Sequence, residues 1–357
     1  MTDSSKKASR GIREHIGALA RNAVDRQYAL QPDLWESYGQ AGYEKSVRDG
    51  RYHFSYLAEA LAADDASLFL DYVGWAKVLF AGLDFPPQAL MGALECMDQA
   101  LQETLEPKLA EVARRYIHTA QEHLPHMPDT HESHIRPGAP LYELASQYME
   151  ALLRGERSTA SALILKAVDQ GISVKEIYLH VFQPCQWEVG RLWQMNQVSV
   201  AQEHFCTAAT QLIMSQLYPQ IFATEKTGHR LVATSVSGEL HEIGMRMVAD
   251  FMEMKGWDTY YVGANTPTGS VLRSVEEREA DVLAISATIS FHVSNVRALI
   301  ERIRSSSSHP EVRIMVGGHP FNISPGLWQE VRSDGYAPNA QEAVTVATRL
   351  VEETHGA

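Results

Sequence analysis

The sequence predicts an all-α region followed by an α/β domain: helices through roughly the first 222 residues, then a doubly wound parallel sheet. Three observations predict this. Apolar residues recur at helical intervals up to about residue 222. From residue 230, short β-branched runs alternate with helix-like segments. Proline and glycine cluster in "HLPHMPDTHESHIRPGAP" (123–140), which reads as a linker. The expected divisions are a helical N-terminal region (1–122), a linker (123–140), a four-helix bundle (141–225) and the sheet domain (226–357).

Composition narrows the function classes. The chain has 357 residues, enough for two or three domains, with 45% hydrophobic and 21% charged residues. A formal net charge of -13 argues against direct binding to nucleic acid or an anionic membrane. Cys96, Cys185 and Cys206 are widely spaced and form no CxxC pair, which suits a reducing cytoplasm. The first thirty residues carry charge throughout, and no apolar run approaches the roughly 20 residues of a membrane span. A cytoplasmic protein is expected.

In order along the chain, "YHFSYLAEALAADDASLFLDYVGWAKVLFAGL" and "QALMGALECMDQALQETLEPKLAEVARRYIHTAQEHL" read as helix, with Pro107 a kink or break. No basic recognition helix of a helix-turn-helix follows. His123, His126, His131 and His134 lie in the linker without helical spacing or cysteine partners, and read as solvated. Four apolar-striped segments between 141 and 222 fit a bundle with short joints, with Ser158 and Ser199 where N-caps are expected. Then come "LVATSV", "DTYYVG", "DVLAISATI", "VRIMVGG" and a fifth, short strand-like position before "NAQEAV".

In an open parallel sheet, ligands bind beyond the C-terminal strand ends. The loop after the first strand supplies Ser237, Gly238, Glu239, Leu240, His241, Glu242 and Gly244. After the third strand come Ser286, Ala287, Thr288, Ser290, Phe291 and His292; after the fourth, Gly317, Gly318 and His319. Neither GxGxxG nor GxxxxGK[ST] is present in these loops, so no nucleotide pocket is predicted. Small residues would instead line a deep slot with an imidazole at its mouth.

"ELHEIG", "SATIS" and "GGHPF", in this order, resemble the Rossmann-like cobalamin-binding domain shared by methionine synthase, corrinoid methyltransfer proteins and cobalamin photoreceptors. That family writes its first motif Asp-x-His-x-x-Gly; here Glu239 replaces the aspartate. The resemblance implies cobalamin in a base-off, His-on state, with His241 as lower cobalt ligand and Glu239 fixing its tautomer. It places the nucleotide tail in a slot bounded by Ser286, Thr288, Gly317 and Gly318, with Leu240, Glu242, Ser290 and His319 bordering it.

"WQMNQVSVAQEH" (193–204) sets Trp193 ahead of Glu203 and His204. The spacing resembles the helical cap of adenosylcobalamin photoreceptors, in which these residue types border the adenosyl group. Those receptors carry histidine after the tryptophan; this chain has Gln194, which puts a bis-histidine light state in doubt. A helical N-terminal region beside such a module resembles photocobilins, which add a bilin such as biliverdin. Here it would be non-covalent, with Arg48, Arg51, His53 and Tyr56 as candidates. The expectation is a non-enzymatic, light-sensing signalling protein acting through self-assembly or a protein partner. The alternative is a corrinoid carrier protein of a methyltransferase system.

Overall fold

The computed structural model describes residues 3–35, 38–306 and 308–355. The chain divides into two compact units, Met1–Thr130 and His131–Ala357.

The first unit is helical among its described residues: α1 (Asp3–Leu30), α2 (Pro32–Trp35), α3 (Gly39–Ala63), α4 (Ser67–Gly82), α5 (Gln88–Thr104) and α6 (Pro107–His123). A buried polar contact helps fix α1 on α3, with Ser9 Oγ donating to the Ala58 carbonyl at 2.6 Å. The apolar run expected over 52–83 is split at Asp64, whose left-handed backbone (φ 53°) ends α3. Pro107 opens α6 at its first turn, where an absent N–H costs nothing.

In the second unit, a bundle precedes the sheet. It comprises α7 (Tyr142–Leu153), α8 (Arg157–Asp169), a composite third helix and α11 (Val200–Gln216), followed by the short α12 (Tyr218–Ile221). The third helix runs α9 (Val174–Ile177), a π-helical turn (Tyr178–Phe182) and α10 (Gln183–Gln194). Tyr148, Ile164, Tyr178, Phe182 and Ile213 fill the core. Ser199 caps α11 through a reciprocal capping box with Gln202. Ser158 does not cap: α8 begins one residue earlier, and its first turn has no side-chain cap. Ser173 caps α9 through a reciprocal capping box with Glu176. Residues 131–135 are docked on the bundle. The His134 amide donates to Glu188 at 2.9 Å, Arg191 donates to the His131 carbonyl, and Ile135 packs against the core.

The sheet domain alternates β1 (Arg230–Ser235), α13 (Ile243–Glu253), β2 (Asp258–Gly263), α14 (Thr268–Arg278), β3 (Val282–Ser286), α15 (Val293–Ser306), β4 (Arg313–Gly317), α16 (His319–Ile323), α17 (Leu327–Glu330), β5 (Gly335–Ala337) and α18 (Ala340–His355). Strand order is β2-β1-β3-β4-β5, all pairs parallel. The order reverses between β1 and β3, the position where such sheets open a crevice. Register aligns Ser235, Ser286, Gly317 and Ala337 in one row across the strand ends. That row of small residues is the floor of the edge. Met247 and Phe251 of α13 reach into the bundle core, joining bundle and sheet.

Candidate functional site: an imidazole held at the sheet edge

Glu239 organises the loop between β1 and α13. Its side chain is fully buried, and one oxygen accepts from His241 Nδ1 at 2.5 Å and the His241 amide at 3.0 Å. The other accepts from the amides of Thr288 (2.7 Å) and Ile289 (3.0 Å). It also lies 3.1 Å from His292 Nδ1. Burial alone would raise this carboxyl's pKa. The bonds from His241, His292 and the backbone outweigh it and hold the group well below the usual carboxylate range. Glu239 is therefore an anion at neutral pH.

An ionised acceptor at Nδ1 fixes the tautomer. The proton stays on Nδ1, and Nε2 keeps its lone pair. The His241 side chain remains 60% exposed, so that lone pair sits on a ring open to a ligand. The hydrogen bond to Glu239 raises the imidazole pKa, with burial opposing it. The loop is braced on all sides: Ser235 Oγ donates to the His241 carbonyl, Asn295 to the Ser237 carbonyl, and the Gly238 amide to Asn265. Gly238 has φ 88°, and a Cβ there would stand 3.1 Å from His292 Nε2.

The other predicted residues fall into two groups. Ser286, Thr288, Ser290, Gly317 and Gly318 are brought together at the ends of β3 and β4. Gly318 (φ 104°) lies so close to β3 that a Cβ would come within 2.0 Å of the Ala287 carbonyl oxygen. Thr288 contributes its backbone amide to Glu239, a role the sequence did not suggest. Gly244 faces open space, with nothing within 4 Å of a built Cβ. Leu240 is 73% exposed and His319 is exposed at the start of α16. Glu242 turns toward the bundle, where Gln211 Nε2 donates to it at 2.7 Å.

On the bundle side, Glu203 and His204 open α11, 2.6 Å apart through His204 Nδ1. Thr207 Oγ1 also donates to Glu203, at 2.9 Å, and lies 3.3 Å from Gln186 Oε1 of α10. Glu203 contributes to the raised pKa of His241, so its charge acts on the β1–α13 loop. Trp193 is half-buried on α10, and Gln194 beside it is buried. The sequence placed His292 in the third-strand loop without a role; it shares Glu239 with His241. No signal short of the folded loop pairs residues 51 positions apart.

The donor set suits cobalt in a corrin: one imidazole with a carboxylate behind it, on an edge of small residues. Residues 229–345 match the family profile described as B12 binding domain, and residues 144–218 match a second profile of the same description. These residues form a cobalamin-binding module. Among relatives, a dimethylamine corrinoid protein of Methanosarcina barkeri is 26% identical over 222 residues, covering 58% of this chain and 98% of the relative. A corrinoid protein of Desulfitobacterium hafniense is 20% identical over 216 residues, covering 59% and 99%. The solved monomethylamine corrinoid protein of Methanosarcina barkeri shares the fold at a TM-score of 0.53 and 20% identity, covering 59% of this chain and 99% of that structure. The N-terminal residues 3–124 match a profile described as phycobilisome protein.

These findings correct the light-sensing expectation. Relatives aligned over nearly their whole length are corrinoid proteins, two of them named for methylamines, which matches the carrier alternative. The Trp193, Glu203 and His204 spacing had carried the photoreceptor reading. It is a short pattern on two helices, whereas the relatives align across bundle and sheet together. Among the described residues no helix is long and apolar enough to cross a membrane, and no cluster of three metal-ligating side chains occurs, the linker histidines included.

Proposed function

We propose that this chain is a corrinoid carrier of a methyl-transfer system, itself a carrier rather than a catalyst, working with a methyltransferase partner protein. The observation that carries the reading is Glu239, buried and clamped, presenting His241 through Nδ1 with Nε2 open. Bound cobalamin would supply a cobalt centre that takes up and gives up a methyl group. The chain's own part is positional. His241 would ligate the lower face, Glu239 holds its tautomer, and Ser286, Gly317 and Gly318 line the edge that would take the displaced nucleotide tail. On the bundle side, Trp193, Glu203 and His204 would border the bound cofactor.

Two experiments test this. In the cob(II)alamin-loaded protein, 15N-labelling of histidine should convert the triplet superhyperfine splitting of the EPR spectrum to a doublet, and the labelled His241→Ala protein should lose it. An unchanged triplet places the cofactor's own base on cobalt and rejects His241 ligation. Protein loaded with 14C-methylcobalamin should pass label in the dark to a thiol acceptor through a corrinoid-dependent methyltransferase. Retention of all label rejects the carrier role.

A second ligand is supported for the first unit by its phycobilisome-type profile. We infer a non-covalent linear tetrapyrrole, such as biliverdin. Cys96, the unit's one cysteine, is buried and its thiol pKa is pushed up to about 11, which disfavours thioether attachment. Tyr56 stacks on Tyr72 (centroids 3.7 Å apart), and Tyr72 and Trp75 continue the aromatic shelf. The Tyr72 hydroxyl meets His53 Nδ1 at 2.6 Å, and burial pulls the His53 pKa down to about 4, leaving it neutral. Arg48 and Arg51 stay on the exposed surface of α3. Added biliverdin should give a shifted band that is lost on denaturing electrophoresis; a free-pigment spectrum rejects the inference.

A further inference from the structure

Glu242, Arg246 and Asp250 are spaced four residues apart, so they lie along one face of the helix that follows the His241 loop. Each bonds to a different part of the bundle. Gln211 of α11 donates to Glu242 at 2.7 Å. Arg246 Nη2 donates to Ser215 Oγ at 2.7 Å and to the Tyr218 hydroxyl at 3.1 Å, with its guanidinium 5.4 Å from the Tyr218 ring centroid. Tyr178, fully buried, donates its hydroxyl to Asp250 Oδ2 at 2.8 Å. Bundle and sheet are thus joined by a polar stripe beside the apolar packing of Met247 and Phe251.

Two features make this seam less stable than ordinary core. Arg246 Nε is buried without a hydrogen-bond acceptor, which costs free energy that closure does not return. Tyr178 opens the π-helical turn, an interruption of regular helix at the point of attachment. We propose that the Glu242–Arg246–Asp250 stripe is a proton-sensitive latch, holding the bundle on the sheet domain more tightly in acid than at neutral pH.

The groups around Asp250 fix the direction. Burial raises its pKa to about 6, opposed by the Tyr178 hydrogen bond and Arg246 and assisted by Glu253. Tyr261 on β2 feels the Asp250 charge, and Tyr218 lies near Tyr178. The α18 residues in the neighbouring core clusters are all alanine, valine or leucine and carry no titratable group. When the seam opens, Asp250 regains water and a pKa of about 4. The closed form therefore holds its proton more tightly. Closure strengthens as pH falls through about 6 and levels off below about 4.

Amide exchange of the full chain, corrected for intrinsic rates, tests this at 178–182 and 246–251. Opening should be roughly tenfold more frequent at pH 7 than at pH 5. In Asp250→Asn that slope should vanish. An equal slope in the variant, or none in the wild-type protein, overturns the proposal. Should the variant not fold, the 13C shift of the Asp250 carboxyl in the wild-type chain decides: a midpoint near 6 supports the latch, and one near 4 overturns it.

Discussion

Two of the glutamate–histidine pairs in the second unit have nearly equal length, and they behave differently. Glu239 and His241 meet at 2.5 Å; Glu203 and His204 meet at 2.6 Å. Glu239 is fully buried and receives three backbone amides besides the imidazole. Glu203 is 29% exposed at a helix start, with Thr207 as its second partner, and His204 is 75% exposed. The contact distance says little. Burial and the number of oriented donors decide whether a carboxylate holds an imidazole in one tautomer or merely accompanies it.

Substitution should separate the pairs most sharply at the acids. Glu239→Ala leaves the Thr288 and Ile289 amides and the buried His292 ring facing a void. A loss of about 3 kcal/mol or more in urea denaturation is expected, at about 1–3 kcal/mol per stranded buried group. Corrinoid affinity, read by equilibrium dialysis, should fall about 10- to 100-fold. Glu203→Ala should cost less than about 1 kcal/mol, because water replaces the lost partner. Equal losses from the two would show that burial is not what distinguishes them.

A smaller effect concerns the floor beneath the buried pair. Gly318→Ala places a methyl against the Ala287 carbonyl with a positive φ, and about 2 kcal/mol of destabilisation is expected in thermal unfolding. Gly244→Ala meets open space and should leave stability nearly unchanged. Its corrinoid affinity then reports whether that space is used.

The pH dependence sharpens the contrast further. Glu239's folded pKa is depressed, so its stabilisation is present above its unfolded value of about 4.3 and is lost as pH falls through the folded value. The stability gap between wild type and Glu239→Gln should widen as pH falls from 8 through the raised His241 value, level off below about 6.5 and narrow again in stronger acid. Smallest of all, Ser199→Ala should cost about 1 kcal/mol as a true cap, and Ser158→Ala less than about 0.5 kcal/mol.

Much of the site was legible because it is local in sequence. Glu239, His241 and Gly244 fall within six residues, and the change from helical to strand periodicity put them at a strand end. The role of Glu203 was harder to read. Its helix start was visible, but a spacing across two helices could not show whether the carboxylate would be buried or solvated. The relatives turned the reading from sensor to carrier, since they align with bundle and sheet as one block.

The sequence by itself determined the element types, the parallel sheet and the position of His241 at a strand end, because periodicity, caps and a contiguous motif are properties of neighbouring residues. Tertiary structure alone decided that Thr288, Ile289 and His292 would converge on Glu239, and that Glu242, Arg246 and Asp250 would each find a bundle partner. Those contacts join residues some 30 to 70 positions apart, and only the packed fold removes the water that would otherwise compete for them.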